Sequence, residues 1–260
     1  MGLPEYAMKS TSRGITYTQR GVGPAMILVH GWCLNRTLWT YHEESLASSG
    51  YHVISPDLPG FGDSRALAGP YDLDRYVDEL ATFIQELGLD RVVVVGFAFG
   101  AAVAMALAAR DGSRIAGLVL IGVPSAGHAP YDRMPRAMRR DWPDFAWKSA
   151  RAICKQPQSE ATLDWLSGMF RATPLPVALE TVALLAGFEP VPIAGRVVIE
   201  TLLVHGKDDD VVPVAISEAC AEQMVRGTLE VVGECGHLVI LDQQQRLSEI
   251  LRAFATRVTA

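Results

Sequence analysis

Short apolar runs alternate along the chain with segments whose apolar residues recur every three or four positions. The runs cover residues 25–29 (AMILV), 51–55 (YHVIS), 91–95 (RVVVV), 115–121 (IAGLVLI), 201–204 (TLLV) and 228–232 (TLEVV). Runs without polar alternation suit strands of a parallel sheet covered on both faces. Between them, residues 72–87 place Leu73, Tyr76, Val77, Leu80, Phe83, Ile84 and Leu87 on one helical face, and Gly88 follows as a stop. Residues 214–225 and 243–258 read the same way with weaker periodicity. Residues 15–18 predict an edge strand or hairpin. Strand–helix alternation predicts an α/β fold: a mostly parallel central sheet with helices on both faces.

The rhythm breaks between residues 124 and 192. That stretch holds Pro135, Pro143, Pro157, Pro174 and Pro176, with Trp142, Trp147 and Trp165, and no strong strand. A linker would be polar and poor in aromatics. The stretch therefore predicts a helical cap, residues 124–192, inserted into a core formed by residues 1–123 and 193–260.

Residues 92–109 read VVVVGFAFGAAVAMALAA, without a polar side chain. That length reaches the threshold for a membrane-spanning helix. Four consecutive valines prefer strand, however, and Gly96 and Gly100 interrupt the run where a turn would fall. The expectation is a buried strand, a tight turn and an alanine-rich helix, with no membrane partner.

Composition narrows the function classes. The 260 residues carry 23 Lys and Arg against 29 Asp and Glu, a formal charge of −6, and 49% are hydrophobic. A chain this apolar is not disordered. Nothing in the overall charge favours nucleic acid. Cys33, Cys154, Cys220 and Cys235 form no CxxC pair, so neither a disulfide framework nor a zinc site is predicted. The N-terminal stretch has no apolar core of leader length, and the expected compartment is the cytoplasm.

The chemistry centres on Gly96-Phe97-Ala98-Phe99-Gly100. This is a glycine-x-nucleophile-x-glycine elbow with alanine where the nucleophile belongs. Such a turn from strand to helix needs small neighbours and holds its central residue in a strained conformation. His30-Gly31-Trp32 follows an earlier strand. The backbone N–H groups of Trp32 and Phe99 can converge as an oxyanion hole, aided by the helix N-terminus. After two later strands come 205–213 (HGKDDDVVP) and Gly236-His237. A histidine base needs a carboxylate to hold its tautomer. The order along the chain is nucleophile position, acid, histidine.

ILVHGW, SPDLPGFGDS, VVGFAFG, LLVHGKDDDVVP and GECGH stand in the order found in α/β-hydrolases, and the chain resembles that family over nearly its whole length. The resemblance implies an α/β-hydrolase fold, with Ala98 at the nucleophile position, Asp209 as acid and His237 as base. It prefers Asp209 to Asp208 and Asp210 because the family pattern reads G-x-x-D before Val-Pro. The end of the preceding central strand, residues 122–125 (GVPS), carries no alternative carboxylate. It implies a small-molecule acyl substrate, hydrolysis of an ester, lactone or thioester, and no metal or organic cofactor. HGWCLN and DLPGFGDSR are also similar to esterases acting on carrier-protein methyl esters, over the N-terminal third only.

Ala98 departs from that pattern, because alanine cannot attack an acyl group. The chain as written is expected to be inactive in covalent acyl transfer. Three readings stay open: a serine changed to alanine so that a bound molecule is trapped, a natural non-hydrolytic ligand-binding member, or chemistry needing no nucleophile, such as proton abstraction by His237. Carbon–carbon bond hydrolysis and cofactor-free oxygenation are alternatives on the same scaffold.

Gly31, Cys33, Phe97, Trp142, Trp147, Trp165 and Leu238 are candidate substrate contacts. Cys33 and Cys235 read as buried, inert thiols. His30 and His205 read as strand-end residues, and His42, His52 and His128 as surface or boundary positions. Arg133, Arg136, Arg139, Arg140, Lys148, Arg151 and Lys155, against Asp132, Asp141 and Asp144, make the first part of the cap basic. A solvated helical face is one reading, and a dock for an acidic carrier protein or anionic substrate is the other.

Overall fold

The computed structural model describes residues 8–127, 131 and 133–260. His128, Asp132 and the first seven residues of the N-terminal stretch lie outside them. Among the described residues, eight strands form one sheet. They are β1 (Lys9–Ser10), β2 (Thr16–Arg20), β3 (Ala25–Val29), β4 (His52–Pro56), β5 (Val92–Phe97), β6 (Ile115–Ile121), β7 (Thr201–Gly206) and β8 (Gly227–Val232). Across the sheet the order is β1-β2-β4-β3-β5-β6-β7-β8. The β1–β2 and β2–β4 pairs are antiparallel, and all pairs from β4 through β3 and β5 to β8 are parallel.

The four valines form the centre of this sheet. Val92 to Val95 are wholly buried, with β3 on one side and β6 on the other. The chain then turns at Ala98 into a helix, so the long apolar run is strand and helix. No single helix among the described residues is long and apolar enough to cross a membrane.

Helices α1 (Thr40–Ser48), α2 (Leu73–Glu86) and α3 (Phe99–Arg110) alternate with the first strands. α2 begins on Asp72, whose carboxylate accepts the Arg75 N–H, and buries Tyr76, Val77, Leu80, Phe83 and Ile84. This is the predicted apolar face, and it packs on α3.

Between β6 and β7 the chain inserts its helical cap: α4 (Met134–Arg140), α5 (Trp142–Ala152), α6 (Glu160–Ala172) and α7 (Leu175–Ala186). Most of the prolines that break the sequence rhythm start helices, and Pro157 lies in the α5–α6 connection. Pro135, Pro143 and Pro176 occupy first turns, where a missing N–H has no partner to lose. The short α8 (Pro190–Ala194) packs on α3 and on α9 (Val214–Gln223), below the cap. α10 (Val239–Asp242) and α11 (Gln244–Thr259) complete the chain, and α11 packs against α1 and β6.

One expectation fails outright. His42 is buried, not at the surface or its boundary. Its Nε2–H donates to the Ile240 carbonyl at 3.0 Å, and Nδ1 lies 2.8 Å from the Ser248 hydroxyl. Partners some two hundred positions away are invisible to local pattern.

Candidate active site

The turn between β5 and α3 carries strained backbone. Ala98 has φ 47° and ψ −108°, outside the regions open to ordinary L-residues. Its neighbours permit this. A Cβ on Gly96 would collide with the Gly100 carbonyl, and one on Gly100 would collide with the carbonyls of Val29 and His30. The helix therefore starts hard against β3 and β5, and Phe99 is its first residue, where a helix N–H lacks an intrahelical acceptor.

His237 and Asp209 meet from separate loops. Asp209 follows β7, His237 follows β8, and His237 Nδ1 lies 2.8 Å from Asp209 Oδ2. A carboxylate can only accept, so Nδ1 carries the proton of this bond, and in the neutral ring Nε2 carries the lone pair. Asp209 Oδ1 also accepts the N–H groups of Val211 and Val212, at 2.8 and 2.9 Å. Burial pushes this carboxyl up, but hydrogen bonds from His205, His237 and the Val212 amide outweigh it, and it sits well below the usual range. Asp210 is exposed and faces Lys155. The end of β6 holds no acid. Gly122, at φ 59°, approaches the His237 ring so closely that a Cβ would sit 3.2 Å from Cε1.

Ala98 and His237 line one cavity of about 350 Å³, together with Trp32, Phe97 and Phe99. The cap supplies Tyr131, Met134, Phe145, Ser149, Ala152, Ile153, Phe170 and Leu185. No Lys or Arg lines it among the described residues. Burial and the Asp209 charge raise the Tyr131 phenol, so it stays protonated.

The other candidate contacts stand elsewhere. Gly31 lies behind the Phe97 ring, leaving no room for a side chain. Cys33 and Leu238 are wholly buried and do not line the cavity. Burial lifts the Cys33 thiol well above its ordinary value and Cys235 to about 12, which keeps both unreactive. Trp142 stacks on Phe145 and touches Trp32 edge-on, one layer back from the cavity. Trp147 is 46% exposed, with the Arg151 guanidinium 3.7 Å above its ring. Trp165 faces a separate groove beside Thr40 and Tyr41. Cavity residues such as Tyr131, Met134, Ser149, Ile153 and Leu185 were not among the candidates. Nothing local in the sequence distinguishes them from cap core.

Trp32 joins the two layers. Its indole N–H donates to the Thr181 hydroxyl of α7 at 2.9 Å, and its ring meets Phe145 and Phe170 edge-on. Thr181 in turn donates to the Val177 carbonyl at 2.7 Å.

An eight-stranded, mostly parallel sheet, an elbow after its central strand and a histidine–carboxylate pair at the strand ends define an α/β-hydrolase architecture. The chain belongs to the Alpha/beta hydrolase family, whose model matches residues 26–250. It is similar to the 2-hydroxy-6-oxo-2,4-heptadienoate hydrolase of Pseudomonas putida, 28% identical over 253 residues and 90% of each chain. A thermophilic esterase from Thermogutta terrifontis shares the structure with a TM-score of 0.83 at 26% identity, over 98% of this chain and all of that one. An esterase from Exiguobacterium antarcticum superposes with a TM-score of 0.90 at 22% identity, over 97% of this chain and all of that one.

Proposed function

We propose that this chain carries the site of a serine-type ester, lactone or thioester hydrolase with alanine at the nucleophile position. It binds a small, uncharged acyl molecule and lacks the group that would attack it. The observation that carries this reading is the His237–Asp209 pair on the same cavity as the strained Ala98 elbow. With serine at 98, the hydroxyl proton passes to His237 Nε2 as the oxygen attacks the acyl carbon. The N–H groups of Trp32 and Phe99 hold the resulting oxyanion. His237 returns the proton to the leaving alcohol, and water releases the acyl group by the same route.

The cavity wall is apolar apart from Tyr131, Ser149, Asp210 and His237, which supports a neutral acyl group. The Pseudomonas relative acts, by its name, on a carboxylate, and the described lining here offers no cation to one. That weighs against a carbon–carbon hydrolase of similar substrates. Cofactor-free oxygenation lacks support at the end of β6, where Gly122 stands in place of an acid. An acidic carrier protein, or an anionic molecule, could instead reach the outer cap. There Arg133, Arg136, Arg139 and Arg140 are exposed.

Ala98→Ser tests the reading. Hydrolysis of short p-nitrophenyl esters or of simple lactones should rise at least about 10³-fold over the Ala98 chain, with a burst of phenolate. No gain on either panel, with the same ligands still bound, would instead favour a ligand-binding member.

A further inference from the structure

His205 is the penultimate residue of β7, wholly buried, and is a second imidazole on the same carboxylate as His237. Its Nε2 lies 2.9 Å from the Val212 carbonyl and 3.2 Å from Asp209 Oδ2. Both are acceptors, so Nε2 bears the proton and shares it between them. Nδ1 must then accept, and the buried Ser217 hydroxyl of α9 stands 2.7 Å away to donate. Every ring nitrogen of His205 is thereby assigned.

We propose that His205 is a positioning residue for the Asp209–His237 pair, held in its tautomer by Ser217. This rests on the reading of Asp209 and His237 as acid and base. Oδ1 of Asp209 receives the Val211 and Val212 amides, and Oδ2 receives His237 and His205. Four N–H groups thus fill the acceptor capacity of one carboxylate. The two backbone donors fix one oxygen. The two imidazoles arrive at the other from different elements, which fixes the rotation of the carboxylate about its Cβ–Cγ bond. Removing His205 leaves Oδ2 to His237 alone and orphans the Val212 carbonyl. Oδ2 is then free to turn, and the direction of the His237 ring turns with it.

The test begins in the chain as it stands, with Ala98. The imidazole ¹⁵N and ¹H resonances of His237 are followed in ¹⁵N-histidine-labelled protein. A downfield, exchange-protected Nδ1–H signal is expected, retained in His205→Gln, whose side-chain amide can still donate. It is expected to broaden or move in His205→Leu. Ser217→Ala, which removes the hydroxyl without emptying the site, should give a smaller shift in the same direction. In the Ala98→Ser background, His205→Leu should lower kcat about tenfold or more with KM nearly unchanged. His205→Gln should recover most of that loss. A His237 signal unmoved by both His205→Leu and Ser217→Ala would overturn the proposal and reduce His205 to packing. Because the resonance is read with Ala98 in place, that failure is separate from a failure of Ala98→Ser to confer turnover.

Discussion

Asp208, Asp209 and Asp210 are chemically identical, and their surroundings are not. Asp209 is buried and accepts four N–H groups, whereas Asp208 is exposed and Asp210 points to Lys155. Asparagine at 209 would present an NH₂ to donors on one side or the other, where only acceptors fit. In the Ala98→Ser background, Asp209→Asn should lower kcat by roughly 10³–10⁴-fold, as loss of the acid does in related triads. Asp208→Asn should change it less than about twofold. Esterase rates of the two variants side by side check this, and equal losses would place the acid elsewhere. The G-x-x-D spacing pointed to Asp209 among the three, and Asp209 is the one that meets His237. The cause was not legible: the donors are the amides of Val211 and Val212, which become donors only once the loop is folded.

At the level of elements, the sheet and its elbow were readable because burial on both faces leaves an unbroken apolar signature. The cap was not readable beyond its existence. Its helices have apolar residues facing the core, one another and the cavity, and periodicity marks only that a residue is covered. Trp147 and Trp165 look like pocket walls and are not, while Ser149 and Ile153 are. The junction of cap and core was equally hidden. Asp242, the last residue of α10, accepts the N–H groups of Lys155, Gln156 and Gly236 at 3.0 to 3.1 Å. α10 is a single turn, so these three bonds, and not a helix dipole, hold the Asp242 carboxylate in place. They tie the α5–α6 connection to the loop that carries His237, and the Leu238 N–H adds a bond to the Ile153 carbonyl. Asp242→Ala should cost roughly 1–2 kcal/mol, the low end for charged hydrogen bonds at a partly exposed site. Hydrogen exchange should accelerate at residues 155, 156 and 236 while the α4 and α7 amides stay protected. Uniform loss of protection across the cap would show that Asp242 is not the local tie.

For the whole molecule, acid stability turns on histidines that the fold buries uncharged. Desolvation lowers His42 to about 4, with the Ile240 carbonyl opposing only weakly, and lowers His30 as well. A histidine with a depressed folded value stays neutral in the native state while the unfolded chain takes up a proton. Stability is then complete above the unfolded value near 6.5 and is lost as pH falls toward 4. For His42 the loss accumulates to roughly 3 kcal/mol over that window, from about 1.4 kcal/mol per pH unit. Glu43 works in the opposite sense. Burial raises its carboxyl despite the hydrogen bond from Thr18, so acid relieves part of the cost of holding it charged. The two partly cancel in the intact protein, which makes the total pH dependence a poor measure of either. The difference between variants isolates one. His42→Gln keeps an amide that can reach Ile240 or Ser248 and has nothing to titrate. Urea unfolding at pH 7, 5.5 and 4.5 should show the variant less stable than the parent at pH 7, with the gap closing as pH falls. Between pH 6 and 4.5 the parent's unfolding free energy should fall more steeply than the variant's, by up to about 1.4 kcal/mol per pH unit, one proton's worth. Parallel lines across that range would mean that His42 protonates in the folded state as readily as in the unfolded one, and that the Ser248 and Ile240 bonds do not hold it neutral.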